Sequence, residues 1–464
     1  MLSKSTQEKL NNEINQTCEE LKIPGMALTI YQHGNSIYEK YYGYRNMKER
    51  LPITKDTIFG LASITKSLTC LMVMKLEEEG RLHSSDRVTE WLPNLKLPRE
   101  DYLKQLEIRH LMSHTSGLPG LPSIHHARMK SIRKDPDGDF LFGKWQGEDN
   151  SAIQTANELI EQISRMDFAL SGPPGTVFNY SNEGYGMLQK IIVLASGMTF
   201  IDYVERKLFS PLRLKNSFFL TESIINKENV TELYAYQEKQ SGIFHSPAWW
   251  DVGAIYTNGS WKASADDVMK YAELLRLNGR IQGQSLISED KLEKMTSSAF
   301  SLPNGGDYGF GIEINPIGEY IRFGHGGSIK GVSSNFQIIK EKGISASILI
   351  NMADVPAEKI LVSALHILLG ISAENPFKKD DVLSGKTLNL NLFSGMYQSG
   401  EGNKASISIQ DDLLYLNRNE QITCFSPISE NDFIAETGER IYFAKNGDCV
   451  HSVLVGKRVL EKVE

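Results

Sequence analysis

With 464 residues the chain exceeds one typical domain, and 41% hydrophobic against 23% charged residues is the balance of an ordinary soluble globular protein. Fifty Lys plus Arg against 57 Asp plus Glu leave a net charge of −7 without a basic stripe, which argues against nucleic acid as a partner. The four cysteines, Cys18, Cys70, Cys424 and Cys449, lack C-x-x-C spacing, which argues against a zinc or redox motif.

In chain order, MLSKSTQEKLNNEI has no apolar h-region, so the expectation is a cytoplasmic protein without a secretory signal. Free thiols are then expected, although Cys424 and Cys449 could meet across strands. Leu10, Ile14, Cys18 and Leu21 recur at helical spacing over 5–22. MALTIYQ and SIYEKYY flank His33-Gly34-Asn35 as a β-hairpin. Helices are predicted at 63–79 (closed by Gly80), 154–165, 183–196 (closed by Gly197), 200–209, 265–278 and 287–297. Residues 119–152, long and punctuated, read as a mobile loop or lid with His125 and His126 in solvent. Strand signals return in YGFGIEIN, YIRFGHG, SNFQII and SASILIN. KILVSALHILLGI at 359–371 is too short to span a bilayer and belongs to a core helix over 357–370.

Strands at both ends of a helical stretch predict an α+β fold, an α/β sandwich. One antiparallel sheet built from N- and C-terminal segments is flanked by helices, with an all-helical lobe inserted and a cleft between. Residues 1–372 form this domain, and 373–387, polar and without periodicity, form a linker. Short alternating runs from ASISIQ to HSVLVG make 388–464 a small all-β domain, a sandwich or barrel of about six to eight strands.

The stretch FGLASITKSL opens a helix that is apolar nearly all round and places Ser63 and Lys66 on one face. A buried ammonium is costly unless something uses it, and a desolvated lysine can take a proton from a serine hydroxyl. The Ser63 N–H, unpaired at a helix start, is a natural half of an oxyanion hole. Alone, S-x-x-K is a weak signal. Tyr180 and Asn182, two apart in an extended segment, face one side and could converge on the same pocket; a packed Tyr beside an Asn cap competes with that reading. His325, Gly326 and Gly327 end a strand whose glycines let a substrate backbone lie close. His110 and His114 are four apart, as metal ligands can be, but no H-E-x-x-H accompanies them; neither metal nor cofactor is expected. Trp249 and Trp250 could line the cleft, or one of them could be core.

Ser63-Ile64-Thr65-Lys66, Tyr180-Ser181-Asn182 and His325-Gly326-Gly327, in this order, resemble the serine β-lactamase and penicillin-binding protein superfamily, in its class C-like branch. The resemblance covers roughly residues 5–370, with the C-terminal region similar to the lipocalin-like domains such proteins append near the cleft. It implies Ser63 as the nucleophile, Lys66 and Tyr180 as partners in proton transfer, and Asn182 as holder of the acyl amide. The N–H groups of Ser63 and Ser328 form the implied oxyanion hole, and no metal is needed.

Where a Lys-Thr-Gly would supply a permanent cation, His325 is mostly neutral above about pH 6.5 and Gly326 has no hydroxyl. Carboxylate substrates should therefore be weak, improving at low pH. The H-x-G form is similar to that of D-aminopeptidases and esterases. The leading expectation is a serine hydrolase of small amides, esters or short D-amino-acid peptides. The alternatives are a weak class C-type β-lactamase or D-Ala-D-Ala carboxypeptidase, and a sensor that is acylated without turnover.

Overall fold

The computed structural model describes residues 2–142, 152–237, 242–253, 255–281, 283–372, 382–383, 388–418, 421–447 and 449–463. Helix α1 (Lys4–Glu20) starts where the Ser3 side chain accepts the Thr6 N–H, and it buries Leu10, Ile14 and Cys18. Strands β1 (Gly25–Gln32) and β2 (Asn35–Asn46) turn through His33 and Gly34, both at positive φ, as a two-residue hairpin turn requires. Helix α2 (Thr65–Glu78) follows the Ser63 turn and is buried on nearly every side. The lobe adds α3 (Ser123–Ile132), α4 (Ala156–Arg165) with a Thr155–Glu158 capping box, and α5 (Asn182–Ser196), which Gly197 ends at φ 68°. The expected 200–209 helix is α-helical over Phe200–Val204 and continues as a π-helical turn over Glu205–Phe209. Then come α6 (Ala265–Arg276), β3 (Glu313–Ile317), β4 (Tyr320–Ile329), β5 (Val332–Ile339), β6 (Ile344–Ile350) and α7 (Ala357–Leu369).

The two ends of this region close one antiparallel sheet: β1 lies between β2 and β6, with Met26 opposite Ile350. Nine strands run in the order Phe300–Ser301, Asp307–Tyr308, β3, β4, β5, β6, β1, β2, Leu51–Pro52. Alternation assigns the faces. Met26, Leu28, Ile344, Ala346, Ile348 and Ile350 pack under α1 and α7, whereas Ala27, Phe336 and Leu349 face α6 and the lobe.

The C-terminal region is a closed eight-stranded barrel: β7 (Gly395–Gln398), β8 (Lys404–Gln410), β9 (Leu413–Arg418), β10 (Gln421–Pro427), β11 (Asp432–Ile434), β12 (Arg440–Asn446), β13 (Cys449–Val455) and β14 (Arg458–Lys462). Closure removes every open edge. Cys424 lies on β10 and Cys449 on β13, which are not neighbours, so the two thiols do not meet; all four cysteines are free. Of the expected linker, only residues 382–383 are among the described ones.

The structure corrects the lid expectation. Residues 123–132 are the helix α3, and Asp135 beyond it receives Trp250 Nε1 and pairs with Lys330. His126 is buried against Gln162, and His125 Nε2 lies 2.7 Å from the Glu401 carbonyl, so neither ring is solvated as expected. Residues 143–151 of the expected lid lie outside the described residues. Among the described residues no single helix is long and apolar enough to cross a membrane.

Candidate active site

Ser63 sits in a 3-10 turn, Ala62–Ile64, that feeds α2; Ala62 before it holds φ 47°. Thr65 Oγ1 donates to the Ala62 carbonyl, and Ser334 Oγ of β5 donates to the Leu61 carbonyl, fixing the turn from both sides. One helical turn on, Lys66 Nζ lies 3.2 Å from Ser63 Oγ and 2.9 Å from the Asn258 carbonyl. Neither partner is a carboxylate. Burial, followed by the positive charges of Arg458 and Arg128, holds its pKa well below the usual lysine range.

The second motif lies at the same site. Tyr180 is buried and lines the same cavity as Ser63; burial raises the phenol pKa against the opposing pull of Arg458 and of the Ser63 side chain. His114 stacks on the Tyr180 ring at 4.0 Å, and its Nδ1 accepts the Ser181 N–H, so it positions the segment. Burial and then Lys66 keep His114 neutral by pushing its pKa well down. Asn182 opens α5: its carbonyl accepts Asn258 Nδ2 at 2.9 Å, and its own Nδ2 donates to Glu401 Oε1 at 3.0 Å.

The third motif lies along β4. Gly327 lets the strand approach the Ser63 turn, since a Cβ there would stand 2.2 Å from the Leu61 carbonyl oxygen and 2.9 Å from Ser63 N. Gly326 and exposed Ser328 line a cavity of about 370 Å³ with Ser63, Tyr180 and His325. His325 itself is buried: Nε2 lies 3.0 Å from the Tyr308 hydroxyl and Nδ1 2.6 Å from the Gly326 carbonyl, which fits a neutral ring. Burial and then Lys457 push its pKa well below 6.5, so the expected gain of a cationic His325 at low pH does not hold.

Sequence reasoning missed the barrel's share. The segment after β7 carries Glu401, the turn between β13 and β14 carries Lys457, and Arg458 opens β14. Arg458 lies 4.2 Å over the Tyr180 ring, with Nε 2.7 Å from Glu401 Oε2. Lys457 pairs with Glu313, and its carbonyl accepts the Tyr180 N–H. Leu454 packs with Phe178, Tyr180 and Tyr308. Glu183 was also missed: it is fully buried, with Ser181 Oγ 3.2 Å from Oε2, and burial followed by the Glu401 charge raises its pKa to about 8.

The other candidates stand apart. His110 Nδ1 accepts the Glu107 N–H, and no metal-holding cluster of His, Cys, Asp or Glu occurs among the described residues. Trp249 packs near Ala62, Leu233 and Val332, and Trp250 borders a neighbouring cavity of about 570 Å³; neither lines the cavities that contain Ser63.

The family described as "Beta-lactamase" matches residues 10–366. Penicillin-binding protein 4* of Bacillus subtilis (strain 168) is 28% identical over 431 residues, spanning 86% of this chain and 85% of that protein. Protein flp of Staphylococcus aureus (strain MW2) is 24% identical over 76% of this chain and 64% of its own length. The octameric penicillin-binding protein homologue from Pyrococcus abyssi superposes with a TM-score of 0.70 at 28% identity, covering 98% of this chain and 99% of that one. The D-amino acid amidase of Ochrobactrum anthropi SV3, at 21% identity and a TM-score of 0.62 over 78% of this chain and 99% of its own, shares the fold.

Proposed function

Because the chain belongs to the β-lactamase family and is a serine hydrolase, we propose that Ser63 is its nucleophile and that it cleaves small amides or esters, short D-amino-acid peptides foremost. One observation carries the reading: Ser63 Oγ lies 3.2 Å from the Lys66 amine, in a cavity it shares with Tyr180. Burial lowers the pKa of the amine and raises that of the phenol, so both partners favour their uncharged forms. An uncharged amine is a competent base, whereas a phenolate would be hard to form. Lys66 therefore takes the Ser63 proton as the hydroxyl attacks the acyl carbon, and Tyr180 relays it to the leaving group, receiving a proton from Lys66 as it gives its own, so that neither a phenolate nor an ammonium persists. The N–H groups of Ser63 and Ser328 hold the oxyanion, and Asn182 orients the acyl amide. Water then hydrolyses the ester along the same proton path. In this reading residues 1–372 carry the chemistry and 388–464 form one wall of the cleft.

The similarity to Penicillin-binding protein 4* favours a second reading, a D-Ala-D-Ala carboxypeptidase or weak β-lactamase. A panel of N-acetyl-D- and N-acetyl-L-alanyl anilides, short-chain nitrophenyl esters and a chromogenic β-lactam separates the two. Sustained turnover of D-anilides over L-anilides supports the first, and preference for the lactam supports the second. A burst of product without steady turnover identifies an acylated sensor, and undiminished activity in Ser63→Ala overturns the site.

A further inference from the structure

We infer that the cavity beside Asn182 is an anion site, built from Arg128 of the helical lobe and Arg458 of the barrel, for a carboxylate on the acyl part of the substrate. This cavity, about 420 Å³, is lined by Ser63 and Asn182 and by Arg128, Arg418, Arg458 and Glu401. Three arginines and one glutamate thus line it. That carboxylate is already engaged: Oε1 accepts from Asn182 Nδ2, and Oε2 accepts from Arg458 Nε at 2.7 Å and Asn403 Nδ2 at 3.3 Å. The charge left over is positive.

Both principal cations keep donors for a ligand. Arg128 Nε is buried and has no hydrogen-bond partner among the described residues. Buried donors without partners are rare, and a guanidinium offers five in a planar fork suited to a carboxylate. Burial lowers Arg128 only to about 10, so it remains a cation at neutral pH. Arg458 uses Nε on Glu401 and lies flat over Tyr180, which fixes the plane of its remaining nitrogens. An ammonium-bearing group would meet these charges unfavourably; a carboxylate would pair with them.

The cation absent from the third motif is in this way supplied by another part of the chain, on the Asn182 side of Ser63. Its use on substrate rests on Ser63 being the nucleophile; its capacity to bind a carboxylate does not. The test therefore separates binding from turnover. Full-length Ser63→Ala is titrated with N-succinyl- and N-acetyl-D-alanine 4-nitroanilide, which differ by the acyl-side carboxylate. The succinyl compound should bind about tenfold to a hundredfold tighter, and adding Arg128→Gln should remove most of that preference. Raising the salt concentration should shrink it. In the protein with Ser63 intact, the same preference should appear in kcat/KM. Arg128→Gln removes the charge with a shorter polar side chain, and circular dichroism checks that it folds; Arg128→Lys, which retains the charge, should recover part of the preference. Equal affinities for the two compounds, or a preference untouched by Arg128→Gln, would overturn the site. A binding preference without any turnover in the wild type would instead count against Ser63 as nucleophile while supporting the anion site.

Discussion

Glu183→Gln measures how dry the centre of the site is. Glu183 holds its proton in the folded protein up to about pH 8, through burial first and the Glu401 charge second, whereas the reference value is 4.5. Between those values the folded chain binds more protons than the unfolded chain, so this group's contribution to stability is full below about pH 4.5 and is lost as pH rises through 8. At about 1.4 kcal/mol per pH unit, the loss is at most about 5 kcal/mol. A glutamine side chain in its place cannot ionise and keeps nearly the same shape, so the variant should escape the loss. The assay is urea unfolding of wild type and variant between about pH 4 and 9, the range that brackets the shift, followed by tryptophan fluorescence. All five tryptophans precede residue 262, so the signal comes from outside the barrel. The wild type should lose several kcal/mol relative to the variant across this range. Parallel profiles would show that Glu183 is ionised or hydrated in the folded protein, and the dry, uncharged surrounding assigned to Lys66 would be refuted.

Lys66→Ala and Tyr180→Phe should each lower kcat on the order of a hundredfold or more, and the double variant should lose far less than the product, because both serve one proton path; full additivity in steady-state kinetics would show separate roles. Gly327→Ala should abolish most turnover and cost about 1–3 kcal/mol in stability, since the new methyl group meets the Leu61 carbonyl and Ser63 N; unchanged kinetics would contradict the close approach of β4. A chain ending at residue 372 should fold, as judged by circular dichroism, yet lose turnover by about tenfold or more, because Tyr180, Asn182 and Glu313 lose their barrel partners; identical kinetics would remove the barrel from the site.

The three motifs were legible because each carries its own local signal. Ser63 and Lys66 share a helix face, Tyr180 and Asn182 straddle a helix start, and Gly327 marks a close approach. The hairpin at His33-Gly34 and the helix stops at Gly80 and Gly197 were legible for the same reason, each being a positive φ that favours a turn. Glu401 and Arg458 had no such signal. Charged residues between short strands read as solvated turns, and the bond from Asn182 to Glu401 spans 219 positions that no periodicity links. The helix α3 is hidden by the Pro and Gly residues around it, so Arg128 reads as part of a loop. His325 reads as titratable because its Tyr308 partner and the Lys457 charge come from parts of the chain that its neighbours in sequence do not reveal.

The central claim is that Ser63 Oγ carries the acyl group. Wild-type protein, incubated with a slowly deacylating nitrophenyl ester or β-lactam and quenched in acid, is measured by intact mass and then by peptide mapping. One acyl increment is predicted on the peptide containing Ser63, absent from Ser63→Ala. An adduct on another residue, or one that persists in the variant, would contradict it.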